Sequence, residues 1–393
     1  MNEKQQVHIA VIGAGWWSQG WHLPHLSKNP ASKIAAIVDS SDCPKSNLNP
    51  NLLSLQELAD TYQVPIYKSV HELIQDKSVH VDGVLVATPH ATHYEVGRVL
   101  LEEATRRHEA GEKALHIKME KPMTTDVEEA KKLNQLIQEY RAIGGQGSFM
   151  VNHSANYRMQ ARKARELVET GAIGEIQHIT CFFASPLMWI FDDPANKSWN
   201  EPNGSMLGNG FAWGQSCHLL GWVYHVCPNL VPVSIFCAMN TSEKTGADLS
   251  HAATVICNGN TIMSVSGTTY LPGNEHSPTP VGKKVFVHIY GSKGALLYDG
   301  EDLDQSSGKL ELRQGGVNFG FPSFPCGDDL GFDFENTAED GIGPESMQSF
   351  LEACHGQDDY YVGADSMLGL RTIQTIEAMY RSNASKRLEQ VLF

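Results

Sequence analysis

Four apolar runs alternate with amphipathic segments over the first 150 residues of the chain. The runs read VHIAVIG, IAAIVD, VDGVLVAT and ALHIKM. Continuous apolar runs of this length, separated by helical patterns, are typical of parallel strands that are covered on both faces. One helical pattern covers 126–141, where apolar positions recur every three or four residues. The alternation predicts an α/β domain with a doubly wound parallel sheet over residues 1–150.

Two of the predicted helices carry capping signals at their starts. Ser69 precedes Glu72, and Thr125 precedes Glu128, at the spacing of a capping box. The apolar face of the helix after Thr125 consists of Val127, Ala130, Leu133, Ile137 and Tyr140. We therefore expect helices to begin near these capping residues and to pack on the sheet.

The pattern changes after residue 150. ARKARELVETG predicts a helix that ends at Gly171, with a turn at Gly174. Seven short strand-like runs follow, from IQHITCFFA to KLELRQ, and turn residues such as Asn258-Gly259 separate them. The pattern predicts a second α/β domain over 151–393, with a large, open, mostly antiparallel sheet.

The last part of that domain is predicted to contain a loop and two helices. Residues 315–344 are rich in Gly, Phe, Pro and Asp, and we expect them to form a long ordered loop or arm. Helical patterns follow near 344–355 and 364–384.

Composition and charge narrow the class of function. The chain of 393 residues is 41% hydrophobic and 19% charged, which allows a buried core and excludes a disordered protein. Its formal net charge of −15 repels phosphate backbones, so we expect no nucleic acid partner. No apolar run reaches the roughly 18 residues of a membrane span, so we expect no membrane partner. The first residues lack the basic and apolar segments of a signal peptide, and we therefore expect a cytoplasmic protein.

The eight cysteines contain no C-x-x-C pair. A chain of this length does not need disulfide bonds for stability, so reduced, buried thiols are the simplest interpretation. No pair of ligand residues has the spacing of a zinc site, and we expect no metal.

A glycine turn follows the first predicted strand. Gly13 and Gly15 allow a tight turn and a close approach of the backbone to a pyrophosphate, which the N–H groups of the next helix would bind. Ser18, a small residue, stands where the usual fingerprint has a third glycine. Asp39 ends the second strand, where a carboxylate hydrogen-bonds ribose hydroxyls and repels a 2′-phosphate. These residues predict a Rossmann domain that binds NAD in preference to NADP.

A Glu-Lys-Pro tripeptide, Glu120-Lys121-Pro122, closes the fourth apolar run. It occurs together with GAGWWSQGWHLPHL, VDGVLVATPHATHYE, HIKMEKPMTTDVEEAKKL, RKARELVETGAIGEI and ADSMLGLRTIQTIEAMYRSNAS. Together these segments resemble the Gfo/Idh/MocA family of glucose–fructose oxidoreductases, inositol dehydrogenases and rhizopine-catabolism proteins. The resemblance spans nearly the full chain and is strongest over the first 180 residues and the last 50.

The resemblance implies an NAD(P)-dependent oxidoreductase of two domains. Its substrates would be sugars, sugar derivatives, inositols or other polyols, and its second domain would use the open sheet to form a homo-oligomer, a dimer or a tetramer. Lys121 would contact the nicotinamide ribose and the reacting hydroxyl, where an ammonium stabilises developing negative charge. Glu120 would border the cofactor and orient that lysine rather than act as a base. The other cofactor-binding residues would be Trp16, Trp17, Thr88, Pro89 and His93.

A histidine is the expected general base, but its usual partners are absent. In the family an Asp lies four residues before this histidine, and a further Asp often lies three residues after it. The segment GSMLGNGFAWGQSCHLLGWVYHV aligns the base with His218, and Gly214 and Gly221 stand at the two acidic positions. His218 can still accept a hydroxyl proton, and Gln215 can orient its ring without supplying charge. The alternative is that His218 is a structural helix histidine and that the site performs different chemistry.

Further substrate contacts are expected in MVNHSANYRM, where the family often places substrate-binding residues. Asn156 and Tyr157 are the candidates, and the Tyr157 hydroxyl suits a sugar hydroxyl. Packing explains each of these residues equally well. His22, in the first helix, belongs to the family pattern and is expected to be structural rather than catalytic.

Three functions remain open on sequence alone. The first, which we favour, is a dehydrogenase in which His218 takes the hydroxyl proton, Lys121 assists and hydride passes to the nicotinamide. The second is a glycosidase-type enzyme that oxidises a sugar transiently, eliminates the aglycone and re-reduces the product. The third, ranked last, is a regulator that binds dinucleotide without turnover. Loss of both carboxylates favours the regulator, and retention of Lys121 opposes it.

Overall fold

The chain folds into two compact units. The computed structural model describes residues 6–273, 281–302, 304, 307–314, 341–357 and 359–392. The first unit contains the chain up to Asn152 and a later segment that ends at Leu370. The second unit begins at His153 and also takes the end of the chain from Arg371.

The first unit is built on a parallel sheet. Its strands and helices up to Asn152 are β1 (Val7–Ile12), α1 (Leu23–Lys28), β2 (Ser32–Val38), α2 (Leu55–Tyr62), β3 (Ile66–Tyr67), α3 (Val70–Gln75), β4 (Gly83–Val86), α4 (His93–Glu109), β5 (His116–Met119), α5 (Val127–Ala142) and β6 (Phe149–Val151). The strand order is β3-β2-β1-β4-β5-β6, and each neighbouring pair is parallel. The order reverses next to β1, which is the arrangement of a doubly wound sheet. The predicted fold of the first domain is confirmed.

Local signals explain most of these helices. The buried residues of α5 are those of the predicted apolar face. Ser69 caps α3, because its side chain accepts a hydrogen bond from the backbone N–H of Glu72. The predicted cap of α5 is wrong by one residue. Asp126, not Thr125, accepts a hydrogen bond from the N–H of Glu129, at 2.8 Å. A carboxylate at this position also interacts favourably with the helix dipole.

The second unit carries a larger sheet. Its elements up to residue 314 are α6 (Met159–Glu169), β7 (Ile176–Ala184), α7 (Met188–Phe191), α8 (Lys197–Asn200), α9 (Cys217–Val226), β8 (Pro232–Thr241), β9 (Asp248–Cys257), β10 (Ile262–Thr268), β11 (Lys284–Gly291), β12 (Gly294–Glu301) and β13 (Lys309–Gln314). Three elements follow towards the end of the chain: α10 (Glu345–Cys354), α11 (Ser366–Ser385) and β14 (Glu389–Gln390).

The eight strands of the second unit have the order β13-β12-β11-β7-β10-β9-β8-β14. Among the strands that the structure describes, β7 and β10 form the one parallel pair, and the other neighbours are antiparallel. The seven strand-like runs of the sequence correspond to β7–β13, so the predicted mostly antiparallel sheet is confirmed. Of the loop predicted over 315–344, residues 315–340 lie outside the described part of the chain.

The late helix α10 belongs to the first unit. Its residues Met347, Phe350, Leu351, Ala353 and Cys354 are part of one buried cluster with residues of β1 and β2. A Cβ at Gly83 in β4 would lie 2.6 Å from the Cys354 sulfur, so the helix packs closely on the sheet. The units therefore differ from the predicted division into residues 1–150 and 151–393, because apolar packing returns α10 to the first unit after the chain has built the second sheet.

Two sequence expectations concern composition. Six of the cysteines in the described ranges are buried free thiols, and Cys43 is exposed. Within those ranges, no helix combines the length and the apolar character that crossing a membrane requires.

Candidate active site

The glycine turn lies at the carboxyl end of β1. Gly13 has a φ of +96°, and a Cβ there would lie 2.5 Å from the carbonyl oxygen of Ala87. Both the conformation and the close approach to the neighbouring strand therefore require glycine. A Cβ at Gly15 would have no neighbouring heavy atom within 4 Å. Gly15 thus leaves open space at the turn, of the kind that a phosphate group needs.

The helix after the turn contains a π-helical segment, Ser18–His22, which continues into α1. Ser18 is buried, and its hydroxyl donates a hydrogen bond to the carbonyl oxygen of Gly13. This hydrogen bond explains how serine replaces the third glycine, because the side chain is tied to the turn rather than directed at the sheet. The positive end of the helix dipole faces the turn and favours an anion there.

Asp39 has a second task that the sequence did not reveal. One of its carboxylate oxygens accepts the backbone N–H of Ala14 at 2.7 Å, and the other accepts the N–H of Ser41 at 2.8 Å. The carboxylate therefore holds the glycine turn against the end of β2. Each oxygen has a further lone pair, so ribose hydroxyls can still donate to it.

Thr88, Pro89 and His93 follow the end of β4, as predicted for residues beside a cofactor. The ring nitrogens of His93 lie 2.8 Å from the carbonyl oxygen of Pro122 and 3.0 Å from that of Thr88. Burial lowers the pKa of His93, although both carbonyl groups oppose the shift. The side chain of His93 therefore links the turn after β4 to the turn after β5, and it is buried.

Glu120, at the end of β5, joins three segments of the first unit. Its Oε1 atom lies 2.9 Å from Nε2 of His22 and accepts hydrogen bonds from the Trp17 indole at 3.2 Å and the Asn152 amide at 2.7 Å. Its Oε2 atom accepts the backbone N–H of Lys121 at 3.2 Å. The carboxylate therefore connects the helix after the glycine turn with the ends of β5 and β6.

The charge of Glu120 is stabilised by these partners. Burial alone would raise the pKa of this carboxyl, but the hydrogen bond and charge of His22, the Asn152 amide and the charge of Lys121 hold its pKa well below the usual range. A buried carboxylate with several donors remains ionised at neutral pH. Glu120 is thus an anion next to Lys121, as expected of an orienting group rather than a base. The contact with Glu120 gives His22 a structural role in the first unit.

Lys121 lies at the carboxyl edge of the sheet and is partly exposed. The peptide bond between Lys121 and Pro122 is cis. The Lys121 charge contributes to lowering the pKa values of His90, to about 3, and of His93, in both cases after the larger effect of burial. Lys121 therefore adds positive charge to the edge that carries the glycine turn.

Three tryptophans pack together after the glycine turn. Trp17 stacks on Trp21 with ring centroids 5.2 Å apart, and Trp16 meets Trp17 edge-on at 5.3 Å. Trp17 also donates to Glu120, so its side chain belongs to the network that holds Lys121. No sequence pattern indicates that Asn152 and Trp17 belong to this network, because their partner Glu120 lies more than 30 residues away along the chain.

His218 lies in the second unit, on α9, after a π-helical segment over Ala212–Ser216. It is buried, and the ring of His153 lies edge-on to it with centroids 6.2 Å apart. A Cβ at Gly221 would lie 2.5 Å from Nδ1 of His153, and a Cβ at Gly214 would lie 2.8 Å from the Phe191 ring. Aromatic rings therefore occupy the space into which side chains at the two expected acidic positions would point.

The three other predicted substrate residues also lie in the second unit and are buried. Asn156 donates its side-chain amide to the carbonyl oxygen of Gly221 at 3.1 Å, which links the 3₁₀ turn Ser154–Tyr157 to α9. Tyr157 is 1% exposed, and Gln215 lies in the π-helical segment before His218. The structure thus brings Asn156 together with the helix of His218 and gives the amide a structural contact that the sequence did not indicate.

A second buried carboxylate, Asp248, supports the same helix and was not a sequence candidate. Its Oδ2 atom accepts the backbone N–H of Ala212 at 2.8 Å, and the Tyr380 hydroxyl donates to its Oδ1 atom. Burial raises the pKa of Asp248 to about 6, although both hydrogen bonds oppose the shift. Its sequence context, a polar residue at the start of a strand, gave no signal for this role.

The residues at the carboxyl edge of the first unit fit an adenine dinucleotide. Gly15 leaves room for a phosphate, the helix dipole favours the negative charge, and Asp39 retains acceptors for a ribose. The first unit therefore carries the predicted cofactor residues and Lys121, and the second carries His218, Asn156, Tyr157 and Gln215.

Two family models match the chain. The model of an oxidoreductase family with an NAD-binding Rossmann fold matches residues 7–147, and the model of the GFO/IDH/MocA C-terminal domain matches residues 161–297. Together the two models cover well over half of the chain.

Curated relatives are distant. The uncharacterized oxidoreductase YdgJ of Escherichia coli (strain K12) is 21% identical over 326 residues, which cover 79% of this chain and 79% of the relative. The NADP(+) D-xylose 1-dehydrogenase of Haloarcula marismortui is 24% identical over 189 residues, 48% of this chain and 46% of the relative.

Solved structures share the fold over the whole chain. Levoglucosan dehydrogenase in complex with NADH and L-sorbose has a TM-score of 0.69 at 18% identity, over 99% of each chain. GenD2 from gentamicin A biosynthesis, in complex with NAD, has a TM-score of 0.68 at 15% identity, over 100% of this chain and 98% of that chain. At these identities the likeness is one of fold.

Proposed function

Because the chain belongs to the Gfo/Idh/MocA family of oxidoreductases with an NAD-binding Rossmann fold, we propose that it is a dehydrogenase that transfers hydride between NAD and a secondary alcohol of a sugar, glycoside or polyol. The observation that carries the proposal is the Glu120 network. It fixes the start of the Glu-Lys-Pro segment at the same sheet edge as the glycine turn, so that a cationic side chain borders the cofactor residues.

The proposed chemistry needs one cation and one base from the protein. The bound dinucleotide accepts or returns the hydride. Lys121 stabilises the negative charge that develops on the substrate oxygen when its proton leaves. His218 accepts that proton, and its imidazole is the one side chain type that titrates near neutral pH without perturbation. Tyr157 and Gln215 are proposed to contact the substrate.

The same residues explain why a substrate of this class is proposed. The hydroxyl of a polyol is a weak acid, so its oxidation benefits from an ammonium group that stabilises the alkoxide and from a base that takes the proton. The similar proteins include a D-xylose 1-dehydrogenase and a levoglucosan dehydrogenase, and both names give a carbohydrate compound as the substrate. These similarities support the substrate class and leave the individual sugar open.

A screen with both coenzymes tests the proposal. The purified chain is incubated with sugars, glycosides and inositols in the presence of NAD or NADP, and the absorbance of reduced nicotinamide is followed. A rise with at least one polyol is expected. Release of an aglycone without net reduced nicotinamide would replace the dehydrogenase by the glycosidase-type reaction. Binding of NADH without turnover of any compound would replace it by a dinucleotide-binding regulator.

The choice of NAD over NADP is proposed from Asp39. A carboxylate at the end of β2 accepts ribose hydroxyls and repels a 2′-phosphate. Asp39→Asn retains an acceptor for one of the two backbone N–H groups but loses the charge. We expect its affinity for NAD to fall about tenfold and its affinity for NADP to be unchanged or improved.

The control for Asp39→Asn is Asp42→Asn, which removes an exposed carboxylate nearby in the chain. Fluorescence titration with NADH and NADPH measures both affinities. Equal losses for the two coenzymes would show that Asp39 supports the turn only and does not select the cofactor.

We also propose that the chain forms a homo-oligomer through the open face of the second sheet. The strand register places Ile256 opposite Ile262, Ile262 opposite His178, and His178 opposite Tyr290. This row crosses four strands, and its three large apolar side chains are 37%, 45% and 41% exposed. An exposed apolar row of this kind is typical of association surfaces. Light scattering on the purified chain measures the number of subunits.

A further inference from the structure

A group of polar side chains lies at the amino-terminal edge of the parallel sheet, opposite the edge of the cofactor residues. His8 is the second residue of β1, and Asp82 directly precedes β4. The two backbones are fixed to each other, because the Asp82 N–H donates to the His8 carbonyl oxygen at 2.9 Å. His80 lies two residues before Asp82, at the same edge.

Three potential metal ligands converge in this group. Nε2 of His80 lies 2.8 Å from Oδ1 of Asp82, and Nδ1 of His8 lies 3.4 Å from Oδ2. One ligand atom from each of the three residues lies within 4.8 Å of the other two. A tetrahedral zinc ion with bonds of about 2.0–2.1 Å separates its ligand atoms by about 3.3 Å. Small side-chain rotations are therefore sufficient to complete such a geometry.

The carboxylate is already oriented for this task. Asp82 is buried, and its Oδ2 atom accepts the backbone N–H of His8 at 2.8 Å. A hydrogen bond from the backbone to a ligand carboxylate is a typical support of a metal site. Nδ1 of His8 is buried and faces Oδ2 of Asp82 at 3.4 Å without making a hydrogen bond. A metal ion would give this nitrogen a partner.

A lysine competes for the same carboxylate. The Lys113 ammonium donates to Oδ1 of Asp82 at 2.6 Å, the atom that His80 also contacts. The side chains of Lys113 and His80 are 54% and 59% exposed, so both can move without disturbing the core. A cleft of about 350 Å³ is lined by both of these residues, so an ion can reach His80 and Lys113 from solvent. A cation that binds here must displace the ammonium.

We propose that His8, His80 and Asp82 form a Zn²⁺ site that links β1 to the segment before β4. Two imidazole nitrogens and one carboxylate are a ligand set that zinc prefers, with water at the remaining position. The sequence analysis expected no metal, because His8 lies far from His80 and Asp82 along the chain and only the pairing of β1 with β4 brings them together. The site lies apart from Lys121 and the glycine turn, so it is independent of the proposed dehydrogenase reaction.

Zinc titration of the full-length chain, after treatment with a chelator, tests the site. Calorimetry with ZnCl₂ is expected to show saturable binding of one ion per chain. His80→Ala removes an exposed ligand and should weaken the affinity at least about tenfold. Lys113→Gln removes the competing ammonium and should strengthen it several-fold, an effect that a nonspecific surface site does not show. His71→Ala, which removes an exposed histidine of the same unit, is the matched control and should bind as the unmodified chain does.

Two further measurements report the coordination geometry and the folding of each variant. Co²⁺ in place of Zn²⁺ reports the coordination geometry through its visible absorption, which is strong for a tetrahedral site. NADH titration of the same samples shows whether each variant keeps a folded first unit. The proposal is overturned if the unmodified chain takes up no stoichiometric Zn²⁺, or if His80→Ala and Lys113→Gln both bind Zn²⁺ with unchanged affinity while NADH binding is normal.

Discussion

Two buried carboxylates, one in each unit, respond to burial in opposite ways. Glu120 of the first unit contacts His22 and lies near Lys121, and its pKa stays well below the usual range in spite of burial. Asp248 of the second unit accepts hydrogen bonds from the Tyr380 hydroxyl and from backbone N–H groups, and burial raises its pKa to about 6. The difference is the presence of cationic partners, which favour the charged form of an acid.

The surroundings of the two proposed catalytic residues, Lys121 and His218, differ in a similar way. In the first unit, the carboxylate of Glu120, directly before Lys121, is held by side chains from two other segments, His22 and Asn152, and accepts the backbone N–H of Lys121. In the second unit, the His153 ring lies edge-on to His218, aromatic rings fill the space beside Gly214 and Gly221, and the buried Asp248 accepts a hydrogen bond from Ala212 ahead of the helix. We infer that substitutions of Glu120 act mainly through charge, whereas substitutions of Gly214 and Gly221 act mainly through packing.

The largest effect is expected for Lys121→Met, which removes the ammonium and keeps the length of the side chain. We expect kcat to fall about 10³-fold, because the developing alkoxide loses its cation. NADH affinity should change by less than about threefold, since the glycine turn and Asp39 remain intact. Steady-state kinetics and NADH titration measure the two quantities.

The control for Lys121→Met is Lys131→Met. This substitution removes an ammonium group that pairs with Glu128 at the surface. This variant should retain kcat. An unchanged kcat in Lys121→Met would remove the lysine from the mechanism.

A smaller effect is expected for His218→Asn. General bases contribute about 10²- to 10⁴-fold, so kcat should fall by at least about 10²-fold. The acid limb of the pH profile of kcat/KM should also disappear, because no imidazole remains to lose a proton. His225→Asn, at a buried histidine on the same helix, controls for damage to α9. If His218→Asn keeps both the rate and the acid limb, His218 is a structural histidine.

The smallest effect is a difference in pH dependence between Asp248→Asn and Glu120→Gln. The folded chain binds the Asp248 proton more tightly than the unfolded chain, so this residue lowers stability as the pH rises from about 4 to 6. Asp248→Asn should remove this loss, about 3 kcal/mol for a shift of roughly two pKa units. Glu120 has the opposite sign, since its stabilising charge is present above its unfolded pKa and is lost as the pH falls.

Urea unfolding at pH 4.5 and pH 7 measures both variants. We compare the free energy of unfolding of each variant with that of the unmodified chain. For Asp248→Asn this difference should be more stabilising at pH 7 than at pH 4.5. For Glu120→Gln it should be more destabilising at pH 7 than at pH 4.5. The same sign for both variants would contradict the contrast between the two carboxylates.

The first unit was the more predictable part of the molecule from its sequence. Its strands are continuous apolar runs. The glycine turn and the Glu-Lys-Pro segment are short motifs whose residues are neighbours in the sequence, so they can be recognised without knowledge of the fold. What the sequence did not reveal are contacts between distant segments. The hydrogen bond of Asn152 to Glu120, the support of Ala14 by Asp39 and the return of α10 to the first unit depend on tertiary packing.

In the second unit, the sequence predicted the strands but not the surroundings of His218. The alternation of polar and apolar residues predicted its seven strands, because each strand has one buried face. The sequence shows glycine instead of an acidic residue at positions 214 and 221, but it does not show why side chains are excluded there. Only the fold shows that Phe191 and His153 fill the corresponding space.

Calorimetric titration of the chain with NADH tests the central claim, that the glycine turn binds a dinucleotide. The unmodified chain should bind one NADH per subunit. Gly15→Val should abolish binding without unfolding the protein, because its side chain fills space that no protein atom occupies. Gly20→Ala, at another open and exposed glycine, should bind as the unmodified chain does. Failure of the unmodified chain to bind either NADH or NADPH, or unchanged NADH binding by Gly15→Val, would contradict the account.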